Sequence, residues 1–240
     1  MWGYGQLMSP DSAELLATVE LSPEAAGRHD RAGWVGLFTA DGRVEDPYGS
    51  RPHVGRRQLE RFYDTFIGPR DLTFHRDLDV VSGTSVIRDL TIEVRMSSRV
   101  TLMTPVFIRY DLRREGDVWK LARLRAYWEL AGMIGQFLRN GVASVPAGML
   151  LAGGLLRNQG LGGTIGFASG FRGVGSRGKR LLEEYVAERG YRSGKMLAAG
   201  DAVGASVTTS SGRAILLAEF APNGKSIRRV EEFTENGSST

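Results

Sequence analysis

An acidic pair, Glu45 and Asp46, stands directly before a proline in the stretch from Val44 to Gly55, VEDPYGSRPHVG. Two prolines and the Tyr48-Gly49-Ser50 step make this segment a rigid turn. A carboxylate held beside Pro47 at the mouth of a sheet can take a proton from carbon once burial lifts its pKa towards neutrality. Asp46 is the candidate base. Groups able to offer an O–H or N–H to a developing oxyanion are Tyr48, Tyr63, His75 and Tyr110. Asp-Pro also favours plain turns, so the dipeptide alone is not a signature. His29, His53 and His75 lack metal-ligand spacing, and His53 reads as a solvated turn residue. There are no cysteines, which excludes disulfides, thiolate metal sites and cysteine nucleophiles. No metal and no cofactor are expected.

Positioning Asp46 requires a framework, and the hydrophobic pattern supplies one. Residues 11–20 have helix formers at helical spacing, and Ser22-Pro23-Glu24 reads as a cap, a first-turn proline and a first-turn acid. Asp30 caps a further helix with Trp34, Val35, Leu37 and Phe38 as its apolar positions. After the turn, Leu59, Phe62, Tyr63 and Phe66 lie on one face of an amphipathic helix over 57–67. From 72 to 129 the period becomes strand-like in four long segments, with turns at Gly83 and Glu115-Gly116-Asp117. Three helices followed by a curved antiparallel sheet predict an α+β cone around an apolar pocket.

The loop and the helix after it, VEDPYGSRPHVGRRQLERFYDTFI, together with the strand RLRAYWEL, resemble ketosteroid isomerases of the nuclear transport factor two-like superfamily. The resemblance covers roughly residues 20–130. It implies a proton shuttle at Asp46, an oxyanion-hole support at Tyr63 and an aromatic pocket wall at Trp128. The tyrosine of the family's first helix falls at Ser22, and its protonated aspartic acid at Phe107 or Ile108. Tyr48, Phe107, Tyr110 and Trp128 are therefore the expected ligand-binding positions, with Asp46, Tyr63 and His75 catalytic. The ligand implied is small and hydrophobic, steroid- or polyketide-like. A dehydratase or epoxide hydrolase on the same cone would pair Asp46 with His75, or Asp89 with Arg88, although Arg88-Asp89 reads more simply as a site of cross-strand structural ion pairing. A non-catalytic lipid-binding or scaffold module is the remaining alternative.

The second half is less regular. From Glu129 to Glu183 no acidic residue intervenes, and the segment is basic and glycine-rich. Its apolar run, Val142–Leu156, is short for a bilayer span and holds Pro146. Its basic and apolar character fits contact with a membrane surface through 139–180. Gly175-Ser176-Arg177 followed by GKRLLEEYV echoes Gly49-Ser50-Arg51 followed by GRRQLERFY, and three strand-like segments come after it. This predicts a second, degenerate cone copy in which Arg172 replaces Asp46, and an internal pseudo-dimer or a homodimer. The expected division is a leading helical extension at 1–21, a cone at 22–132, the glycine-rich segment at 133–172, the degenerate sheet at 173–234 and a disordered tail at 235–240.

Hydrophobic content of 42% and charged content of 24% are those of an ordinary globular protein. A net charge of +4, with bases scattered among acids, argues against nucleic acid as a partner. No basic and apolar leader is visible, so a cytoplasmic setting is expected.

Overall fold

The computed structural model describes residues 10–98, 100–139 and 173–234. Helix α1 (Pro10–Gly27) runs straight through Pro23 instead of restarting at Ser22. Leu15, Val19, Ser22 and Ala26 recur at helical spacing and are all buried. That continuous stripe outweighs the one backbone donor that proline lacks. Ser22 is therefore no cap, and its hydroxyl accepts the Trp34 indole N–H at 3.2 Å. Asp30 does cap helix α2 (Arg31–Gly36), accepting from Gly33 N at 2.8 Å.

Phe38, expected on that helix, instead opens strand β1 (Phe38–Glu45), which lies parallel to a later strand. Strand β2 (His53–Val54) pairs with β1, and helix α3 (Arg56–Phe62) ends in a wider π-turn over Tyr63–Ile67. Four strands follow: β3 (Asp71–Ser82), β4 (Ser85–Ser97), β5 (Val100–Glu115) and β6 (Val118–Tyr127). They form one sheet in the order β2-β1-β6-β5-β4-β3. Helix α4 (Leu130–Arg139) then leaves the end of β6.

The later part begins with helix α5 (Gly175–Glu188) and continues through β7 (Arg192–Ala199), β8 (Ala202–Thr209), β9 (Gly212–Phe220) and β10 (Ile227–Thr234). These strands make a second antiparallel sheet in the order β10-β9-β8-β7, one strand more than the sequence suggested. The architecture is α+β, as expected.

Strand alternation builds three apolar layers. Helices α1–α3 pack on one face of the first sheet through Leu15, Trp34, Leu59, Val106 and Leu121. The opposite face, through Ile87, Phe107 and Tyr127, meets Leu197, Ile215 and Leu217 of the second sheet. Helix α5 covers the far side of that sheet through Leu182 and Val186. Polar ties cross the seam between the sheets. Lys195 pairs with Asp89 and donates to the carbonyls of Leu90 and Val106 at 3.0 and 3.2 Å, and Arg109 reaches Glu231 at 2.9 Å.

Arg172, the apolar run Val142–Leu156, the first nine residues and the tail from 235 lie outside the described residues. Among the described residues no helix is long and apolar enough to cross a membrane.

Candidate functional site

A cavity of about 320 Å³ opens between the first sheet and its helices. Period-2 alternation along β5 turns Leu102, Thr104, Val106 and Ile108 towards it, and β4 adds Ile92 and Val94. The helical wall is Phe62, Phe66 and Ile67. Met133 and Ile134 of α4 close one side. That helix is fastened by Gln136, whose amide bonds the N–H and C=O of Met103 at 3.1 and 2.8 Å.

Asp46 follows the last residue of β1, and the parallel pairing of Glu45 with Arg125 sets it beside the end of β6. There the Trp128 indole N–H donates to Asp46 Oδ1. Removal from water into the apolar cavity pushes the Asp46 carboxyl from 3.8 up to about 6, against the opposing pull of the Trp128 bond. A carboxyl poised there can both accept and return a proton near neutral pH. Glu45, its neighbour, faces the other way and pairs with Arg123.

The turn that carries Asp46 is held by both sheets. Tyr48 N donates to Ala126 O at 2.7 Å, and the Tyr48 ring stacks on Tyr127 with centroids 4.7 Å apart. Gly49 sits against Gly200, the turn between β7 and β8. A Cβ on Gly200 would stand 2.8 Å from Gly49 Cα, and both residues have positive φ. Only glycine fits on either side of so close a backbone approach.

The other expected site residues are not brought to the cavity. Tyr63 is 2% exposed and packs on Trp34 at 5.7 Å in the helical core, its hydroxyl without a partner among the described residues. His75 is exposed and binds Glu93 at 3.1 Å, because its strand neighbours Phe74 and Arg76 alternate with it. Tyr48 belongs to the seam between the sheets. Phe107 lies there too, its ring packed so closely on Gly204 that a Cβ would stand 2.7 Å away. Tyr110 is on the inner face but beyond the cavity, near Ser22 and Arg88, where burial pushes its hydroxyl up to about 12. Ile108 rather than Phe107 faces the cavity, so the position implied for a carboxylic acid is apolar.

Arg88 and Asp89 do not act together, and Arg88 forms a cross-strand structural ion pair with Asp79, its partner on β3. Adjacent strand residues point to opposite faces. Arg88 is buried against Asp79 and Glu20 under α1, while Asp89 meets Lys195 in the seam. His53 is not a solvated turn residue either. Its half-buried ring lies 5.1 Å from Phe62, and burial brings it down to about 4.

Sequence reasoning missed Thr104, Arg70 and the two α4 residues in the wall. Thr104 was findable from the two-residue period of β5. Arg70 gave no signal, since its role depends on the end of α3, where it donates to Thr65 O and Phe66 O at 2.6 and 2.9 Å. Among the described residues no three His, Cys, Asp or Glu side chains gather where a metal could sit.

A curved sheet closed by helices over an apolar cavity, with one carboxyl in the wall, defines the class as a cone-shaped pocket domain. Residues 19–128 match the family model described as a SnoaL-like domain. Solved structures similar to the chain include the Delta 5-3-ketosteroid isomerase from Mycobacterium sp., with 26% identity over 50% of this chain and 96% of that one, at a TM-score of 0.45. RV0760c from Mycobacterium tuberculosis, in complex with estradiol-17beta-hemisuccinate, shares 22% identity over 49% and 95%, at 0.45. An LEH-like epoxide hydrolase from M. tuberculosis shares 18% over 57% and 98%, at 0.48. No curated protein matches the chain.

Proposed function

We propose that this protein binds a small, neutral, hydrophobic ligand of steroid or polyketide type and uses Asp46 to move a proton between two of its carbons. The observation that carries this reading is a single carboxyl with its pKa raised to about 6 in the wall of an apolar cavity. Ionised Asp46 takes a proton from the carbon next to a carbonyl. The C–H electron pair moves into an enolate, and the protonated carboxyl returns the proton to a second carbon of the same conjugated system. Nothing is oxidised, and no cofactor enters. Trp128 holds the carboxylate in place for both transfers.

The apolar Ile108 and the remote Tyr63 favour a slow enzyme. Each donor aimed at an enolate oxygen contributes ~3 kcal/mol of transition-state stabilisation. The same two residues favour, as a second reading, a protein that binds such a ligand without turning it over. The second sheet fits a buttress and a degenerate copy: both halves run from a helix into a four-stranded meander, and it lends the cavity no residue.

The test follows the absorbance of the enone formed from a Δ5-3-ketosteroid, with wild type and Asp46→Asn side by side. A loss of ~10²–10⁴-fold in the variant is expected of a missing base. Equal rates would remove Asp46 from the reaction. Steroid binding without turnover in the wild type would select the second reading.

A further inference from the structure

Resting on the reading of this cavity as a ligand pocket, we infer that Thr104 orients the ligand, which therefore carries a second oxygen, a carbonyl or hydroxyl, at the end of its skeleton remote from Asp46. Thr104 sits in the inner row of β5 between Leu102 and Val106, which both line the cavity. It is 8% exposed, and its hydroxyl has no hydrogen-bond partner among the described residues. A buried hydroxyl left unpaired weakens a fold, and valine would fill the same space on a strand without that penalty.

The other polar groups of the wall are engaged. Asp46 holds the Trp128 N–H, and Arg70 is directed to the carbonyls that end α3 and, through Nε, to Met96 Sδ at 3.2 Å. Among the described residues of the wall, Thr104 is the side chain without a hydrogen-bond partner. A turn about its χ1 exchanges methyl and hydroxyl at the wall without moving the backbone.

The distance narrows the ligand class. Ile108 pairs with Ala126, the residue whose carbonyl holds the Asp46 turn, so it marks the Asp46 end of β5. Thr104 lies four residues away along the strand, or roughly 13 Å at the strand rise. A rigid fused-ring skeleton oxygenated at both ends spans that interval, whereas a single-ring ketone does not.

The experiment is equilibrium binding by calorimetry with two product-like enones that need no turnover: androst-4-ene-3,17-dione, and androst-4-en-3-one, which lacks the second oxygen. One satisfied hydrogen bond in a buried site corresponds to about tenfold in affinity. Wild type should prefer the dione by about that factor. Thr104→Val should bring the two steroids to within about twofold, and Thr104→Ser should keep the preference. The valine variant should melt no lower than wild type, which separates a lost contact from a lost fold. Both steroids bound alike by wild type, or a preference that survives in Thr104→Val, overturns the role of Thr104 and leaves the pocket reading standing. Binding of neither steroid overturns both. Asp46→Asn should show the same preference as wild type, so a failure of proton transfer alone leaves Thr104 untouched.

Discussion

Replacing Asp46 by asparagine should stabilise this protein at neutral pH and leave it unchanged in acid. In the folded protein, burial raises the Asp46 carboxyl from 3.8 to about 6, because the charged form has lost its water. Below pH 4 the carboxyl is protonated in both the folded and the unfolded chain, and no penalty arises. As the pH rises through 4, the unfolded chain releases the proton while the folded protein keeps it. The unfolded state then binds fewer protons, so stability falls as pH increases and levels off above 6. The displacement corresponds to about 3 kcal/mol, at 1.4 kcal/mol per tenfold change. Asparagine has no proton to lose and still offers an acceptor to the Trp128 N–H. Its excess stability over wild type should therefore grow from near zero at pH 4 to about 3 kcal/mol at pH 7.5. Other titrating groups are common to both proteins and cancel in the difference. Urea denaturation of the two proteins at pH 4, 5, 6 and 7.5 measures it. A difference that stays constant with pH, or an asparagine variant that is the less stable at pH 7.5, would refute the burial of an ionisable Asp46.

Two further predictions concern the seam between the sheets. Lys195→Met leaves Asp89, 3% exposed, without its cation and should cost ~3–5 kcal/mol, as removing one partner of a buried pair does. Adding Asp89→Asn should restore most of that loss, and an unchanged urea midpoint in the single variant would show that the pair does not hold the sheets together. Gly200→Ala places a Cβ against Gly49 in a left-handed backbone and should cost about 2 kcal/mol. It should also shift the Asp46 turn, visible as a change in the carbon-13 titration of the Asp46 carboxyl. An unaltered titration would detach the second sheet from the site.

Much of the first half was legible because local periodicity and burial agree there. Leu59, Phe62 and Tyr63 recur at helical spacing and are all buried on one face of α3 and its π-turn. The alternation is plain along β5, while β4 is buried on both faces over its first half and β6 stops at Tyr127, three residues short of the end of the expected strand RLRAYWEL. Strand β1 was not legible, because Thr39-Ala40-Asp41-Gly42 has no alternation and is held in the sheet by its parallel pairing with β6. The course of α1 through Pro23 was likewise hidden, since it depends on a stripe that gains its energy only against the sheet.

The same division runs through the site. The sequence by itself determined the turn and the carboxylate beside Pro47, because an unusual run of residues fixes a local conformation wherever it stands, whereas the meeting of that carboxylate with Trp128 arises only in the fold. Which side chains share the cavity was decided only by tertiary structure. Tyr63 and Phe107 are the right residue types within a few positions of the wall, yet one turn of helix or one step of strand sends a side chain to another face. Thr104 and Ile108 enter the cavity through that same geometric rule, and the close approach of Gly200 to Gly49 arises between residues 151 positions apart. Direction and distance across the fold are properties of packing, and no local pattern encodes them.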